Sequence, residues 1–221
     1  TEGWQVLHFP VPITSDGVSG MDDWQTMGMR ATGSQTIVLD KVFVPDEAIV
    51  LKRPQGEYHP LWNVVLTVAM PLIMSAYMGV AEAAAVIATK AARKRRGQPE
   101  TPLLLGEMIN NLTTAQMAVD GMVAITNNWE FAPETDTANK ILVRKTIAAN
   151  AILATVEKAM ETAGGIGFYR KTGLERLLRD AHAVRYHPLP EKRQQHFTGR
   201  LALDLDPIGD TLDPKLRVAA A

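Results

Sequence analysis

The spacing of apolar positions changes once along this chain. From Ile37 to Val44, β-branched and aromatic residues crowd together until Pro45 ends them, which predicts a strand. Val6 to Val11 reads the same way, with Pro10 and Pro12 confining it to a sheet edge. Thr14 to Gly20 and Arg30 to Ser34 carry Gly, Ser, Thr and Asp and read as loops. The chain divides near residues 52–58, and after Gly56 the period becomes helical. Leu61 to Lys94 predicts a long helix with a possible kink at Pro71. Leu105, Met108, Ile109, Leu112, Ala115, Val119, Met122 and Val123 recur at three- and four-residue steps and predict a second. Ile141, Leu142, Ala148, Ile152, Val156 and Ala159 predict a third, stopped by Gly164-Gly165. A fourth runs from about Thr172 to Arg185, with Leu174, Leu177, Leu178 and Ala181 on one side, and Pro188 and Pro190 break it. The fold class is α+β, mainly α. Two or three strands cannot bury both faces alone, so residues 1–55 read as the last part of a larger β-domain, followed over 56–221 by a four-helix bundle with a C-terminal extension.

The first predicted helix needs a decision about its solvent. Val64 to Ala81 is 18 residues without a charge, followed by the basic cluster Lys90, Arg93, Lys94, Arg95 and Arg96, which has the length and flank of a membrane span. Thr67, Pro71, Ser75, Tyr77 and Gly79 interrupt the run and Glu82 ends it. A helix buried on all sides in a bundle is apolar all round too, and that is the reading adopted, with no membrane partner. Composition agrees: of 221 residues, 46% are hydrophobic and 21% charged, ordinary for a globular protein. Lys and Arg number 23 against 24 Asp and Glu, and the net charge of −1 argues against a nucleic-acid partner. The absence of cysteine excludes disulfides, thiolate metal sites and a cysteine nucleophile, and fits a cytoplasmic location. The chain starts at Thr1, which suggests a piece of something longer.

Three places could carry chemistry. Gly164-Gly165-Ile166-Gly167 closes a helix; one glycine suffices for a C-cap, and the surplus would let backbone approach a phosphate. The basic run Lys90 to Arg96 is either a solvated helix end, complementing the dipole, or an anion site. His182, His187, His196 and Glu191 cluster around Pro188 and Pro190 without the spacing of a metal site; one of them could serve as a general base if the fold aims it into a pocket.

Taken in order, these segments resemble the acyl-CoA dehydrogenase superfamily. The carrying residues are Met27-Gly28-Met29-Arg30-Ala31-Thr32-Gly33-Ser34, Val38-Leu39-Asp40-Lys41-Val42-Phe43-Val44-Pro45, Arg93 four residues before Gly97, the Gly-Gly-x-Gly turn and Arg179-Asp180-Ala181. The resemblance extends to about Leu205 and implies that the family's N-terminal helical domain and most of its β-domain are missing here. It implies FAD as cofactor, with Arg93 reaching its phosphates across a subunit interface and Gly164, Gly165 and Gly167 forming the turn near its ADP half. The side chain that joins this site from three residues before the Gly-Gly is Glu161 here, a carboxylate that a diphosphate would repel. The Phe that usually precedes Gly97 is Arg96.

The family's catalytic glutamate falls on Pro188 here, and the alternative position used by a few members on Asn63; neither is a base. Glu191 and His187 are the nearby substitutes. The leading expectation is an FAD-dependent oxidation of an acyl-CoA thioester at Cα–Cβ. The alternatives are a flavin-dependent monooxygenase on the same fold, which needs no such glutamate, and a non-catalytic binding member. The resemblance further implies a homo-oligomer, tetramer or dimer, and a redox partner such as an electron-transfer flavoprotein or a flavin reductase.

Overall fold

The structure, a computed structural model, describes residues 3–209. These form two compact units: one gathers the residues before Met27, residues 30–59 and those from Arg200 on, and the other takes Met27–Met29 and Pro60–Gly199.

The first unit is built on two antiparallel ribbons. Strand β1 (Gln5–His8) pairs with β4 (Leu51–Pro54), Gln5 opposite Pro54 and His8 opposite Leu51, and β2 (Val18–Gly20) pairs with β3 (Ile37–Leu39), Val18 opposite Leu39. Three expectations need correction, the first being that the Val6 to Val11 strand is Gln5–His8 and stops before Pro10. The predicted Ile37 to Val44 strand stops at Leu39, because Lys41 turns the chain with a positive φ of 54°. Val18–Gly20, expected as loop, is a strand. Apart from Gly28, no described residue before Pro60 is buried, as expected when two-stranded ribbons have no second layer.

The second unit is mainly helical. Its long helices are α1 (Leu61–Ala92), α2 (Glu100–Thr126) and α3 (Thr135–Ala163), followed by the short α4 (Leu174–Ala181) and by α5 (Glu191–Leu201). Pro71 lies inside α1 without ending it, and the expected Lys90–Arg96 end is a 3-10 turn, Arg93–Arg95. Helix α3 packs on α1, α2 and α4, and alanines at its contacts let the axes approach closely. Ile141, Leu142, Ile152 and Val156 of α3 are fully buried, facing Met70, Met74 and Met78 of α1 and Met108 and Met122 of α2 in one core.

Helix α1 is not buried on all sides, contrary to the sequence reading. Asn63, Leu66, Met70, Met74, Tyr77, Ala81 and Ala84 form its inward face at three- and four-residue steps, while Val64, Val65, Leu72 and Val86 are exposed. The helix is long and apolar enough to cross a membrane, but it has neighbours in this chain on one side only.

Candidate functional site

Two of the motifs that carried the family resemblance meet in space, Met27–Met29 and Arg179–Asp180. Arg179 donates to Glu175 at 2.7 and 3.2 Å and to the Met27 carbonyl at 2.7 Å, and Asp180 accepts from the Met29 amide at 2.6 Å. A Cβ on Gly28 would fall 2.2 Å from the Arg179 carbonyl oxygen, so only glycine lets Met27–Met29 lie against the end of α4. The Glu175 carboxyl is held below its ordinary range, first by the Arg179 hydrogen bond.

The glycine turn after α3 borders a groove of about 660 Å³ lined by Ala91, Lys94, Arg95, Gly165, Phe168 and Tyr169 among others. Gly164, at φ 65° and ψ −155°, takes a conformation essentially restricted to glycine, and its amide closes α3 on the Met160 and Glu161 carbonyls. Arg95 reaches over this turn and donates to the Thr162 carbonyl. Gly167 is a packing glycine, since a Cβ there would press on Ala163 and Leu174 at 3.3 Å. Gly165 differs: a Cβ would meet nothing within 4 Å, so the surrounding chain gives no steric reason for its absence. Phe168 is 84% exposed at the rim, and Tyr169 lies under the Lys171 ammonium at 5.6 Å. Two cations, exposed aromatic rings and a glycine backbone with free space suit a ligand that joins a phosphate to a flat ring system.

Arg93 lies elsewhere. It lines a second groove of about 530 Å³ between α1 and α2, with Glu82, Lys90, Met108, Ile109 and Leu112, so the cations beside the glycine turn in one chain are Lys94 and Arg95. Glu161 is not an unbalanced charge: Lys158 bonds it at 2.6 Å and also pairs with Glu107 at 2.7 Å.

The segment expected to supply a base separates its two candidates. His187 is half-buried, and its Nε2 is 2.9 Å from the hydroxyl of Tyr77, whose ring packs edge-on at 5.3 Å between centroids. Burial, with the Lys145 charge adding to it, pushes the His187 pKa below its ordinary 6.5, so the ring is neutral at neutral pH. Burial, with Asp180 second, pushes the Tyr77 hydroxyl up, so it keeps its proton. Among the described residues, Nδ1 of His187 has no protein partner. Glu191 instead opens α5, accepts from Gln195 at 3.0 Å and lines a pocket of about 50 Å³ with Lys145, Thr146, Asn150 and Arg185, which neither His187 nor Tyr77 borders. That volume suits one or two water molecules, not a thioester chain.

Pro188 is exposed between them, and Asn63 is committed elsewhere, donating to the Pro133 carbonyl at 3.1 Å and to Thr135 Oγ1 at 3.4 Å. His196 is exposed on α5 and His182 begins a 3-10 turn; among the described residues no three His, Asp or Glu gather closely enough to hold a metal ion. Tyr77 and Lys145 were not anticipated as part of this cluster. Lys145 had a signal: it interrupts the apolar face of Ile141, Leu142, Ala148 and Ile152 at helical spacing.

Comparison with known proteins places this geometry. The family model described as acyl-CoA dehydrogenase, C-terminal domain, matches residues 69–191, more than half of the chain. The oxygenase subunit HsaA of a flavin-dependent monooxygenase from Rhodococcus jostii (strain RHA1) is 27% identical over 224 residues, covering 86% of this chain and 56% of its own. The amino sugar nitrososynthase DnmZ from Streptomyces peucetius is 27% identical over 187 residues, covering 80% and 46%. Among solved structures, XiaF from Streptomyces sp. in complex with FADH2 and glycerol has the same fold, with a TM-score of 0.78 at 21% identity over 93% of this chain and 57% of that one. The chain thus spans about half the length of the curated relatives it matches.

Proposed function

The chain belongs to the acyl-CoA dehydrogenase family through its C-terminal helical domain, and from that premise we propose that it is part of a flavin-dependent monooxygenase whose flavin is reduced by a separate reductase. One observation carries the reading. Both positions where the family places its proton-abstracting carboxylate hold groups that cannot act as a base, Pro188 and an Asn63 already bonded to the start of α3. The ionisable side chain next to Pro188 is the neutral imidazole of His187. The relatives HsaA and DnmZ, named as an oxygenase subunit and a nitrososynthase, support the same direction.

The flavin, FAD in this proposal, is held by Lys94, Arg95 and the Gly164-Gly165 backbone, with Phe168 and Tyr169 beside it; Arg93 extends the same role to the flavin of a neighbouring subunit in a homo-oligomer. When bound and reduced, it supplies the two electrons with which one atom of O2 enters a small organic substrate and the other leaves as water. His187 handles the proton at Nδ1, while Tyr77 occupies Nε2 and fixes the ring.

A second reading, oxidation of an acyl-CoA thioester, draws on the family model itself and keeps Glu191 as base. The small pocket in front of that carboxylate and its bond to Gln195 speak against it. The test uses the full-length protein, a flavin reductase and NADH. Substrate-dependent oxygen uptake that falls at least about a hundredfold in His187→Gln supports the oxygenase. Uptake independent of His187 removes its assigned role.

A further inference from the structure

Lys145 is 1% exposed, among the largest fully buried side chains in the described residues. An ammonium is costly to take out of water, and a methionine would fill the same space on this apolar face without that cost. The charge therefore has to be accounted for by what it touches. From the middle of α3 its Nζ donates to the carbonyls of His187 and Leu189, each at 3.0 Å. Those two carbonyls lie in the connection between the 3-10 turn His182–Tyr186 and α5, where no helix supplies them with a donor. The two bonds bracket Pro188 and hold the backbone on both sides of it, while Tyr77 from α1 holds the ring of His187.

We propose that Lys145 is a positioning residue for His187: it clamps the segment 187–189 to α3 so that the imidazole sits against Tyr77 with Nδ1 free for the reaction. The proposal rests on the reading of His187 as the proton-handling group. The ammonium acts in two ways. It fixes geometry through the backbone, and it places a positive charge beside the imidazole that opposes formation of imidazolium. The other charged or titratable groups around this cluster are Tyr77 on α1, Asp180 on α4, Arg185 in the 3-10 turn and Glu191 on α5. Asp180 is bonded to the Met29 amide. Glu191, which lines the same small pocket as Lys145, favours the charged form of that lysine against the larger effect of burial.

The experiment is the pH dependence of kcat and kcat/KM for reductase-coupled oxygenation by the full-length holoenzyme, in wild type, Lys145→Gln, Lys145→Arg and His187→Gln. Flavin content and melting temperature are measured on each. Removing the cation lets His187 protonate more readily, so in Lys145→Gln the acidic limb moves to higher pH and kcat drops by about ten- to a hundredfold, as for a displaced catalytic group. KM changes little. Lys145→Arg keeps the charge, so its acidic limb stays near that of wild type even if kcat falls. A purely structural lysine would give Lys145→Gln a lower melting temperature with the limb unmoved, and that result overturns the proposal. Should Lys145→Gln not fold, the wild-type profile decides, since an acidic limb at or above about 6.5 contradicts a cation acting on His187. If His187→Gln keeps wild-type activity, the functional reading itself fails. If it is inactive while the limb of Lys145→Gln stays in place, only the role of Lys145 fails.

Discussion

Gly164 and Gly165 are neighbours with different reasons to be glycine, and substitution separates them. Gly164 sits in a backbone conformation closed to other residues, and a Cβ would press on the Arg95 guanidinium at 2.9 Å. Gly164→Ala is expected to cost about 1–3 kcal/mol of stability, read as a lower urea midpoint. Gly165→Ala meets open space, so stability should stay within about 0.5 kcal/mol while retention of flavin on dialysis weakens. Unchanged flavin retention would remove Gly165 from the cofactor site. His187 makes a prediction about pH. Its folded pKa lies below 6.5, so between that lower value and 6.5 the unfolded chain binds a proton that the native chain does not. Its contribution is therefore complete above pH 6.5 and is lost as pH falls through the folded value, with a slope of at most about 1.4 kcal/mol per pH unit. Chemical denaturation from pH 7 to pH 5 should show this slope in wild type and a shallower one in His187→Gln.

At the scale of elements, long apolar periods were legible and short or polar ones were not. Helices α1, α2 and α3 carry buried residues on one face over more than six turns. The bounds read for α1 and the Gly164 stop of α3 hold closely, while α2 and α3 begin at Glu100 and Thr135, ahead of the first apolar positions read, Leu105 and Ile141. Helix α5 carries Glu-Lys-Arg-Gln-Gln-His and buries only Gln194 and Phe197, too little for an apolar period to register. Strands β2 and β4 are three and four residues long, and their partners lie far away in the chain, so nothing local announced them. The candidate site divides the same way. The glycine turn and the His187 segment stand out as composition, whereas the Lys145 clamp and the Arg95 contact exist only once α3 is folded against its neighbours. Asn63 was noted as a missing base, yet its amide ties the first turn of α1 to the start of α3. Asn63→Ala should lower the unfolding free energy by about 1–3 kcal/mol, the cost of leaving the Pro133 carbonyl without its donor. A variant as stable as wild type would show that tie to be dispensable.

For the whole molecule, the outer faces of the helical unit are the feature that one chain leaves open. Val86 and Ile109 are 69% and 54% exposed and line the same groove as Arg93. We propose that a homo-oligomer covers this surface. Val86→Glu combined with Ile109→Glu should then shift the full-length protein toward monomer in sedimentation velocity, and an unchanged distribution would place the contact elsewhere. The most direct test of the central claim, an oxygenase on a dehydrogenase-family fold, is a visible absorption series on the full-length flavin-loaded protein under anaerobic conditions. A mixed set of acyl-CoAs is added first, then a flavin reductase with NADH, then air. An oxygenase leaves the flavin bands intact with the thioesters, loses them with the reductase and regains them with oxygen. Bleaching by an acyl-CoA alone would contradict the account and return the chain to the dehydrogenases.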